Sequence, residues 1–558
     1  MGTDKPAENV EDWVDEAGVR FPEGPDEEAR LLHGEEPGQL FELNDAFYPA
    51  PSREASQRRP GSITGLRGRA RRRTPRWLVF LYGPDPPEIH SIDPLLPSVQ
   101  EMPVRWLERA LPRSWQRLAL LVLFVLAWAA SLAIPLARSK GTATDASGTA
   151  IRHVDCIDTL WKRDNVCGLD GVDCKPFSNT SFAFRCPADC AGVRLLNAHH
   201  VGNQEVNFRP LVIGGGAGSP YRGDSFLCGA AIHAGAIGDA TGGCARATLV
   251  GEYYQYFPSS QHKIESIPFD SYFPLSFTVQ VDPTIKCTMP DPRWTISLPL
   301  SLLFTVLLSL FATSRPLLFF ATFVAIFTHV ALVSDPPSLS SPATTDLLPS
   351  LVSRYAGRLL PALFTAVVLY LTCVRRALPA ARSAAASLTL ERTLLWLGPF
   401  WLGALSNRTI EPLIPIARLT PADLTGATAQ PGAVLALAAV AALVLAAAVL
   451  QARTLRREGR LPAYLVFYVA LALALALLAA LPRLRLRLHH YALALLLLPG
   501  TAAQTRLSWA CQGLLLGLFV NGIARWGFDS LLQTDAMLRG DDAPAAEAGG
   551  CCLRWWRR

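Results

Sequence analysis

Apolar residues are distributed unevenly along the chain, and this distribution predicts most of its architecture. Residues 1–116 are polar, residues 139–292 mix polar and apolar positions, and much of 293–524 is nearly continuous Leu, Ala, Val and Phe. The first apolar run occupies residues 118–137, and a helix of about 20 residues matches the ~30 Å hydrocarbon core of a bilayer. The pattern predicts a multi-pass α-helical membrane protein in which residues 118–137 form the first span and residues 139–292 an extramembrane domain.

Further apolar runs predict a helical block within residues 293–524. The runs are 296–312, 316–333, 359–374, 394–405, 433–450, 461–481, 491–505 and 507–523. The 394–405 run is short and contains Pro399, but we expect it to cross, because the sequon at Asn407 and the basic stretch after residue 450 belong on opposite sides. The runs 491–505 and 507–523 form either two spans around Arg506 or one span beside a partly buried segment. The block therefore holds about seven or eight spans, the whole chain about eight or nine, and the side of the C-terminus stays open.

Charge around the first span predicts its orientation. Eight arginines and no acidic residue lie between residues 58 and 76, namely Arg58, Arg59, Arg67, Arg69, Arg71, Arg72, Arg73 and Arg76. Basic flanks stay in the cytosol, so the N-terminus is expected to be cytosolic and the chain after residue 137 translocated. Because the run lies too far from Met1 for a cleaved signal peptide, residues 118–137 are predicted to be a signal-anchor.

The regions outside the spans carry fewer signals. Residues 1–57, rich in Pro, Glu, Gly and Asp, predict a disordered acidic tail, and residues 58–116 an arginine-rich cytosolic segment that ends in an interfacial helix. Residues 525–558 form a C-terminal tail in which Cys551 and Cys552 suit palmitoylation if the tail is cytosolic. The net charge of +6 is spread over several clusters without zinc-finger spacing or a basic stripe, so we expect membrane lipids and not nucleic acid as partners.

Cysteines support the same orientation for the extramembrane domain. Eight of the twelve lie between the first two apolar runs: Cys156, Cys167, Cys174, Cys186, Cys190, Cys228, Cys244 and Cys287. An even number within one segment predicts a disulfide framework in an oxidising compartment, although eight cysteines allow 105 pairings. Asn179 begins a glycosylation sequon in the same segment, and Asn407 begins one in the helical block. The domain is therefore expected to be luminal or extracellular.

Local patterns within this domain predict a short helix. In the stretch YRGDSFLCGAAIHAGAI, residues 221–237, Asp224 or Ser225 suits a helix N-cap and Gly235 a C-terminal stop. Phe226, Ala230 and His233 follow the helical period, with Leu227, Ala231 and Ala234 on the adjacent face.

The same stretch, with FRCPADC at residues 184–190, Gly242-Gly243 and SFTV at 276–279, resembles the LCCL domain. The resemblance covers roughly residues 150–285, and the order of a single span, an LCCL domain and a multi-span block is similar to fungal LCCL-containing membrane proteins. It implies an α+β domain in which a central helix is wrapped by β-strands and stapled by two disulfides. Carried over, it pairs Cys190 with Cys228, and Cys186 with an upstream cysteine, most simply Cys174. Cys156, Cys167, Cys244 and Cys287 exceed this set and are candidates for two more disulfides.

Other motifs in the domain have ordinary structural explanations. Arg222-Gly223-Asp224 matches a cell-adhesion tripeptide, but a helix-capping Asp224 would not be free to bind a receptor. His233 lacks further ligands at metal-binding spacing, since Cys228 is expected in a disulfide. No catalytic motif is evident and the glycine-rich 214–218 segment lacks the lysine of a phosphate-binding loop, so we expect neither an enzyme nor a cofactor or metal site.

The sequence favours a recognition function for the extramembrane domain. The family resemblance implies a carbohydrate or glycolipid ligand, and we expect Tyr221, Arg222 and Asp224 at the helix entrance to contact it, with His233 as a lining group. The alternative is a transporter or lipid-handling protein in which the domain is accessory. Coupled transport usually requires ionisable groups inside the spans, and the apolar runs contain few beyond His329 and the boundary residue Arg506.

Overall fold

The computed structural model describes residues 80–141, 151–161, 180–195, 199–285, 290–336, 347–379, 388–413 and 432–534, with the single residues 144, 148 and 287. The predictions for residues 1–79, Cys167, Cys174, Asn179, Cys551 and Cys552 lie outside these ranges. The described chain begins with helices α1 (Pro97–Ala110) and α2 (Ser114–Gly141).

The cysteine-rich domain that follows α2 is built on a five-stranded sheet. Its strands are β1 (Arg152–His153), β2 (Ser181–Cys186), β3 (His199–Val201), β4 (Gln204–Val206), β5 (Tyr221–Arg222), β6 (Gly243–Tyr256), β7 (Ser260–Gln261), β8 (Ile264–Glu265) and β9 (Phe269–Gln280). The main sheet has the order β1-β2-β6-β9-β5, and β3/β4 and β7/β8 form separate hairpins. On β6 the alternating residues Ala245, Ala247 and Leu249 are buried, as expected for a sheet with one covered face.

Helix α3 (Leu227–His233) is enclosed by this sheet, and every one of its residues is buried. It ends at Gly235, which has a φ of 72°, while the Ala236 N–H donates to the Ala231 carbonyl at 3.0 Å. This is the glycine-terminated helix end that the sequence indicates. The α+β architecture with a wrapped central helix is confirmed.

The N-terminal cap of α3 differs from the prediction. Phe226 occupies the cap position without a side-chain hydrogen bond. Ser225 Oγ instead accepts the Ile213 N–H at 3.0 Å, and the Asp224 carboxylate binds Arg222 and His199. Asp224 and Ser225 serve longer-range contacts because the segment before the helix is itself packed inside the domain.

The disulfide pairs also differ from those implied by the resemblance. Cys186 pairs with Cys228, Cys190 pairs with Cys156, and Cys244 pairs with Cys287. The predicted partners of Cys186 and Cys190 are therefore wrong. Cys186 ends β2 beside the first turn of α3, where it meets Cys228, and the loop after β2 carries Cys190 back to the segment that precedes β1.

The C-terminal half of the chain is a helical block. Its elements are α4 (Leu298–Phe311), α5 (Arg315–His329), α6 (Leu347–Leu369), α7 (Thr389–Arg392), α8 (Gly398–Ala404), α9 (Ser406–Thr409), α10 (Ala433–Arg457), α11 (Leu461–Ala479), β10 (Arg485–Leu486), α12 (His490–Leu497), α13 (Arg506–Trp526) and β11 (Leu532–Gln533). Four π-helical turns adjoin these helices: π1 (Arg293–Ser297), π2 (Val330–Ser334), π3 (Tyr370–Val374) and π4 (Thr393–Leu397).

Seven helices in the described residues are long and apolar enough to cross a membrane. They are Ser114–Arg138, Arg293–Phe311, Arg315–Ser334, Leu351–Ala377, Val434–Arg457, Leu461–Ala479 and Arg506–Trp526. The remaining two predicted spans form shorter helices. Residues 394–405 lie in the helical run α7–π4–α8, and the helix that begins at His490 passes into a 3₁₀ turn at Leu498–Thr501, where Pro499 and Gly500 interrupt it.

Close backbone contact joins α8 to α13, and the two helices run parallel. A Cβ atom added to Gly513 would overlap the Trp396 carbonyl oxygen, and one added to Gly517 would overlap that of Phe400. Small residues four positions apart allow two apolar helices to approach this closely. The GLLLG sequence at 513–517 matches this pattern of small residues.

Contacts between loops divide the helical block into two ends. At the domain end, Asp335 accepts from Asn407 at 3.2 Å and pairs with Arg525 at 3.1 Å. At the opposite end, Glu391 accepts from Gln100 of α1 at 2.8 Å and from Arg506 at 2.7 Å. The short helical runs α7–α9 and α12 each extend across the block. Each of them joins a loop at the domain end to a loop at the opposite end.

Candidate functional site

The four residues predicted to contact a ligand are buried as two separate pairs, Arg222 with Asp224 and Tyr221 with His233, which we refer to together as the buried cluster. Arg222 Nε and Nη2 donate to both carboxylate oxygens of Asp224 at 2.7 and 2.5 Å, and His199 Nε2 lies 2.9 Å from the same carboxylate. Tyr221 Oη lies 2.8 Å from His233 Nδ1. Tyr221, Arg222, Asp224 and His233 are between 0% and 4% exposed.

Packing and electrostatics explain why this cluster is stable. The Arg222 guanidinium lies 4.4 and 4.5 Å from the ring centroids of Phe269 and Phe273, so its charge is covered by aromatic faces as well as paired. Burial would raise the pKa of Asp224, but hydrogen bonds from Arg222 and His199 outweigh it and hold that pKa below its ordinary value. Burial raises the pKa of Tyr221, and burial lowers the pKa of His233.

The structure therefore does not place these residues where a ligand or an adhesion receptor would meet them. Arg222 and Asp224 satisfy each other inside the domain, and reaching them would require opening its core. We assign the cluster a role in holding α3 and β5 together and do not retain it as a ligand site.

A different part of the domain contacts the helical block. We call residues 186–190, the CPADC segment, the signature loop. Arg293, at the first turn of π1, donates from Nη2 to the Ala188 carbonyl at 2.6 Å, and Asp291 accepts the Ala188 N–H at 3.0 Å. Arg293 also pairs with Asp291 at 2.5 Å, and both side chains are 11% exposed. The loop is thus held from both its N–H and carbonyl sides by one ion pair.

A second ion pair extends this junction to the short helices of the block. Arg408 of α9 binds the Asp189 carboxylate, and its guanidinium lies 3.4 Å from the ring centroid of Trp294. Asn407, beside it, donates to Asp335 at 3.2 Å and accepts from Asn521 Nδ2 at 3.2 Å. A glycan on Asn407 would have to displace its bond to Asp335, and glycosylation there stays a prediction.

An exposed aromatic face lies at the other end of the domain. Tyr254 of β6 is 60% exposed and Tyr272 of β9 is 46% exposed, with ring centroids 5.8 Å apart. Tyr272 Oη donates to Glu252 Oε1 at 3.0 Å. We call Tyr254, Phe257, Tyr272 and Glu252 the distal face.

Strand geometry gives the distal face its position. Gly243 pairs with Cys186 beside the signature loop, whereas Tyr256 pairs with Phe269 at the far end of the same strand. A strand of this length spans roughly 40 Å, so the distal face points away from the helical block. Pairing between β6 and β9 shifts register three times between Leu249 and Gln255, and such bulges commonly re-aim side chains next to binding sites.

Sequence reasoning missed both the junction and the distal face. The alternation of Val250, Glu252 and Tyr254 along one strand could have indicated outward-facing residues, but the role of Arg293 and Arg408 depends on which helix ends meet the domain. Among the described residues, no group of three or more His, Cys, Asp or Glu side chains could hold a metal ion.

Comparison with known proteins identifies the domain and the family. Residues 154–276 match the LCCL domain, which confirms the resemblance. An uncharacterized protein of Saccharomyces cerevisiae, YIL067C, is 33% identical over 481 residues, which covers 82% of this chain and 69% of the yeast protein. The chain belongs to the family of this yeast protein. The match includes much of the helical block as well as the LCCL domain, so family membership extends beyond the domain.

Proposed function

We propose that this protein is an integral membrane protein that holds an LCCL domain on the luminal or extracellular side of a helical block, as a recognition module for carbohydrate or glycolipid. The observation that carries the recognition role is the distal face, in which two tyrosines and a carboxylate are exposed away from the block. Aromatic side chains supply large contact area at low entropic cost and carry a polar group at their tip.

The chemistry of the distal face favours a neutral sugar. The apolar C–H faces of a pyranose ring stack on aromatic rings, while sugar hydroxyls donate to carboxylates. Glu252 lies on this face and Asp270 is exposed nearby on β9, so an anionic ligand would meet like charge.

A glycan array probed with the full-length, detergent-solubilised protein tests this proposal. We expect binding to neutral glycans that falls at least about tenfold in the Tyr254→Ala/Tyr272→Ala variant. Tyr82→Ala, which removes an exposed tyrosine from another part of the chain, is the matched control. Absence of binding to every glycan, or equal binding by the wild type and the double variant, would refute this assignment.

The ends of the helical block support a specific topology. On this proposal the two short helical runs cross as well as the seven long helices, and the C-terminal residues 525–534 then lie on the side of the LCCL domain. Three disulfides in the domain fit an oxidising compartment on that side. Impermeant maleimide labelling of a cysteine introduced at Ser530 in intact cells or sealed vesicles tests this topology, and labelling only after permeabilisation to the cytosol would contradict it. A C-terminus on this side would also remove Cys551 and Cys552 from cytosolic palmitoylation.

A lipid-handling role is the second candidate, and one observation favours it. No residue of α11 is buried, and α10 beside it is exposed along most of its length. These two helices contact the rest of the block through Gln451, whose Oε1 accepts from Ser508 at 2.8 Å, through Tyr468, and through Tyr464, which packs against the core. A fluorescent-phospholipid scrambling assay in proteoliposomes tests this role, with rates equal to those of empty liposomes counting against it.

A further inference from the structure

His329 is a buried ionisable residue that neither the fold nor the proposed recognition function explains. It is the last residue of α5 and is 0% exposed. Its Nδ1 lies 3.0 Å from Ser301 Oγ, and its ring meets Trp401 edge-on with centroids 5.2 Å apart. Its Nε2 is buried and has no hydrogen-bond partner among the described residues. Ionisable groups inside an apolar helical block usually mark a functional site.

Hydroxyl groups of α4 and π1 form the polar side of this site. Ser297, Ser301 and Thr305 recur at every fourth position and are all 0% exposed. Thr305 Oγ1 accepts from Trp401 Nε1 at 2.9 Å, whereas Ser297 Oγ, one turn above Ser301, is buried without a partner among the described residues. Two polar groups on facing elements are therefore left unsatisfied beside the Ser301–His329 hydrogen bond.

Two π-helical turns adjoin the site. Turn π1 ends at Ser297 and turn π2 begins directly after His329, and the two turns pack against each other. A π turn is rare in an otherwise α-helical segment and is often found at functional sites. Because a π turn differs from an α turn by one residue of register, its return to α-helical geometry would shift the residues on one side of it by one position.

The same turns connect His329 to the signature loop. Arg293, at the start of π1, donates from Nη1 to the carbonyl of Ser334, the last residue of π2, at 3.4 Å. Its Nη2 donates to the Ala188 carbonyl of the loop at 2.6 Å. Any change in register of π1 or π2 would therefore move the guanidinium that holds the LCCL domain.

We propose that His329 is a proton-binding site that loosens the docking of the LCCL domain when the pH falls. The imidazole takes one proton from water at its free nitrogen, and both ring nitrogens then donate. Nδ1 can still bond Ser301 Oγ, but Nε2–H requires an acceptor that the closed site does not offer. A buried imidazolium without a counterion is unfavourable, so π1 and π2 rearrange and Arg293 releases Ala188.

Charged groups around the site lie at its edges and not against the ring. The side chains in contact with His329 from α4 and α8 are Ser301 and Trp401, neither of which titrates near neutral pH. Helix α6 presents Tyr355 to Thr328. The charged side chains at the domain end form the pairs Arg293–Asp291, Arg525–Asp335 and Arg408–Asp189, and His490 interacts there with Glu411 and Arg525.

Hydrogen exchange of the full-length protein in lipid nanodiscs tests the proposal. The reporters are the backbone amides of Ala188, Asp189 and Ala191, which donate to Asp291, the Asp239 carbonyl and the Asp239 carboxylate. After correction for intrinsic exchange, we expect their protection to fall at least about tenfold between about pH 7.5 and about pH 5, where histidine gains a proton. Carboxylates titrate mostly below this interval.

Variants separate His329 from the other histidines. His329→Gln should abolish the pH response of the loop while keeping its protection at pH 7.5, and His199→Gln, inside the LCCL domain, should leave the response intact. A response that survives in His329→Gln, or one that disappears in His199→Gln alone, would overturn the proposal and assign the effect to the domain itself. Glycan binding is not the readout, so failure of the recognition proposal would leave this result interpretable.

Discussion

The LCCL domain and the helical block secure their buried polar groups in different ways. In the domain, buried polar side chains bind one another, as Arg222 binds Asp224 and Tyr221 binds His233, and three disulfides cross-link the chain. In the block, several side chains bind main-chain carbonyls of other helical segments: Trp509 binds that of Ala377 at 2.8 Å and Asn521 binds that of Ala404 at 2.8 Å. The domain therefore depends on pairs of particular side chains, whereas the block depends on how closely its backbones approach.

The largest loss of stability should come from a substitution that separates the two parallel helices of the block, α8 and α13. Gly517→Ala places a methyl group against the Phe400 carbonyl, and α8 and α13 would have to move apart over the length of their contact. We expect loss of monodisperse protein or a large drop in the melting temperature, measured in detergent.

Gly357→Ala is the matched control, since a Cβ there would meet nothing within 4 Å. It should be neutral or slightly stabilising, because alanine is the better helix former. Equal behaviour of the two variants would contradict the close packing of α8 and α13.

The next largest loss of stability should come from removing one partner of the buried Arg222–Asp224 ion pair in the domain. Asp224→Asn leaves the Arg222 charge without its bidentate partner and should cost about 3–5 kcal/mol of domain stability. Proteolysis of the full-length protein under increasing denaturant measures the loss. Asp282→Asn, at a partly exposed pair with Arg246, should cost about 1 kcal/mol or less, and similar losses in both variants would refute the role of burial.

The two ion pairs at the junction should contribute unequally to the protection of the signature loop from hydrogen exchange. Arg293→Ala removes a largely buried clamp on the signature loop, whereas Arg408→Ala removes a pair that is about one third exposed. Hydrogen exchange at Ala188 should therefore rise much more in Arg293→Ala than in Arg408→Ala. Greater exchange in Arg408→Ala would place the main attachment at Asp189 instead.

A fall in pH should lower the stability of the domain by a smaller amount, because His233 becomes protonated more readily in the unfolded chain. Its pKa is lowered in the folded state by burial, so the unfolded chain binds the proton more readily. Stability is complete above the ordinary histidine value of about 6.5 and declines as the pH falls below it. The slope should disappear in His233→Gln, and an unchanged slope would exclude His233 as its source.

Sequence patterns were most informative where a property is local. The apolar runs located the long helices, and the glycine at 235 ended α3 as expected. The C-P-x-x-C and C-G-A-A-I-H-A-G motifs led to the LCCL domain. The disulfide partners of Cys186 and Cys190 could not be obtained in this way, because pairing depends on which strand end lies beside α3. Asp224 satisfies the local rule for a helix cap, yet Arg222 and His199 compete for its carboxylate and bind it more strongly.

The sequence by itself determined the division into a cysteine-rich domain and an apolar helical block, because composition and period require only nearest neighbours along the chain. Only the tertiary structure decided which cysteines pair, that the Arg222-Gly223-Asp224 tripeptide is buried, and that the signature loop is clamped by Arg293. It also brought His329, Ser301 and two π turns together beneath the LCCL domain. These features arise from contacts between residues that are distant in sequence, and their energies depend on burial and geometry that no local pattern encodes.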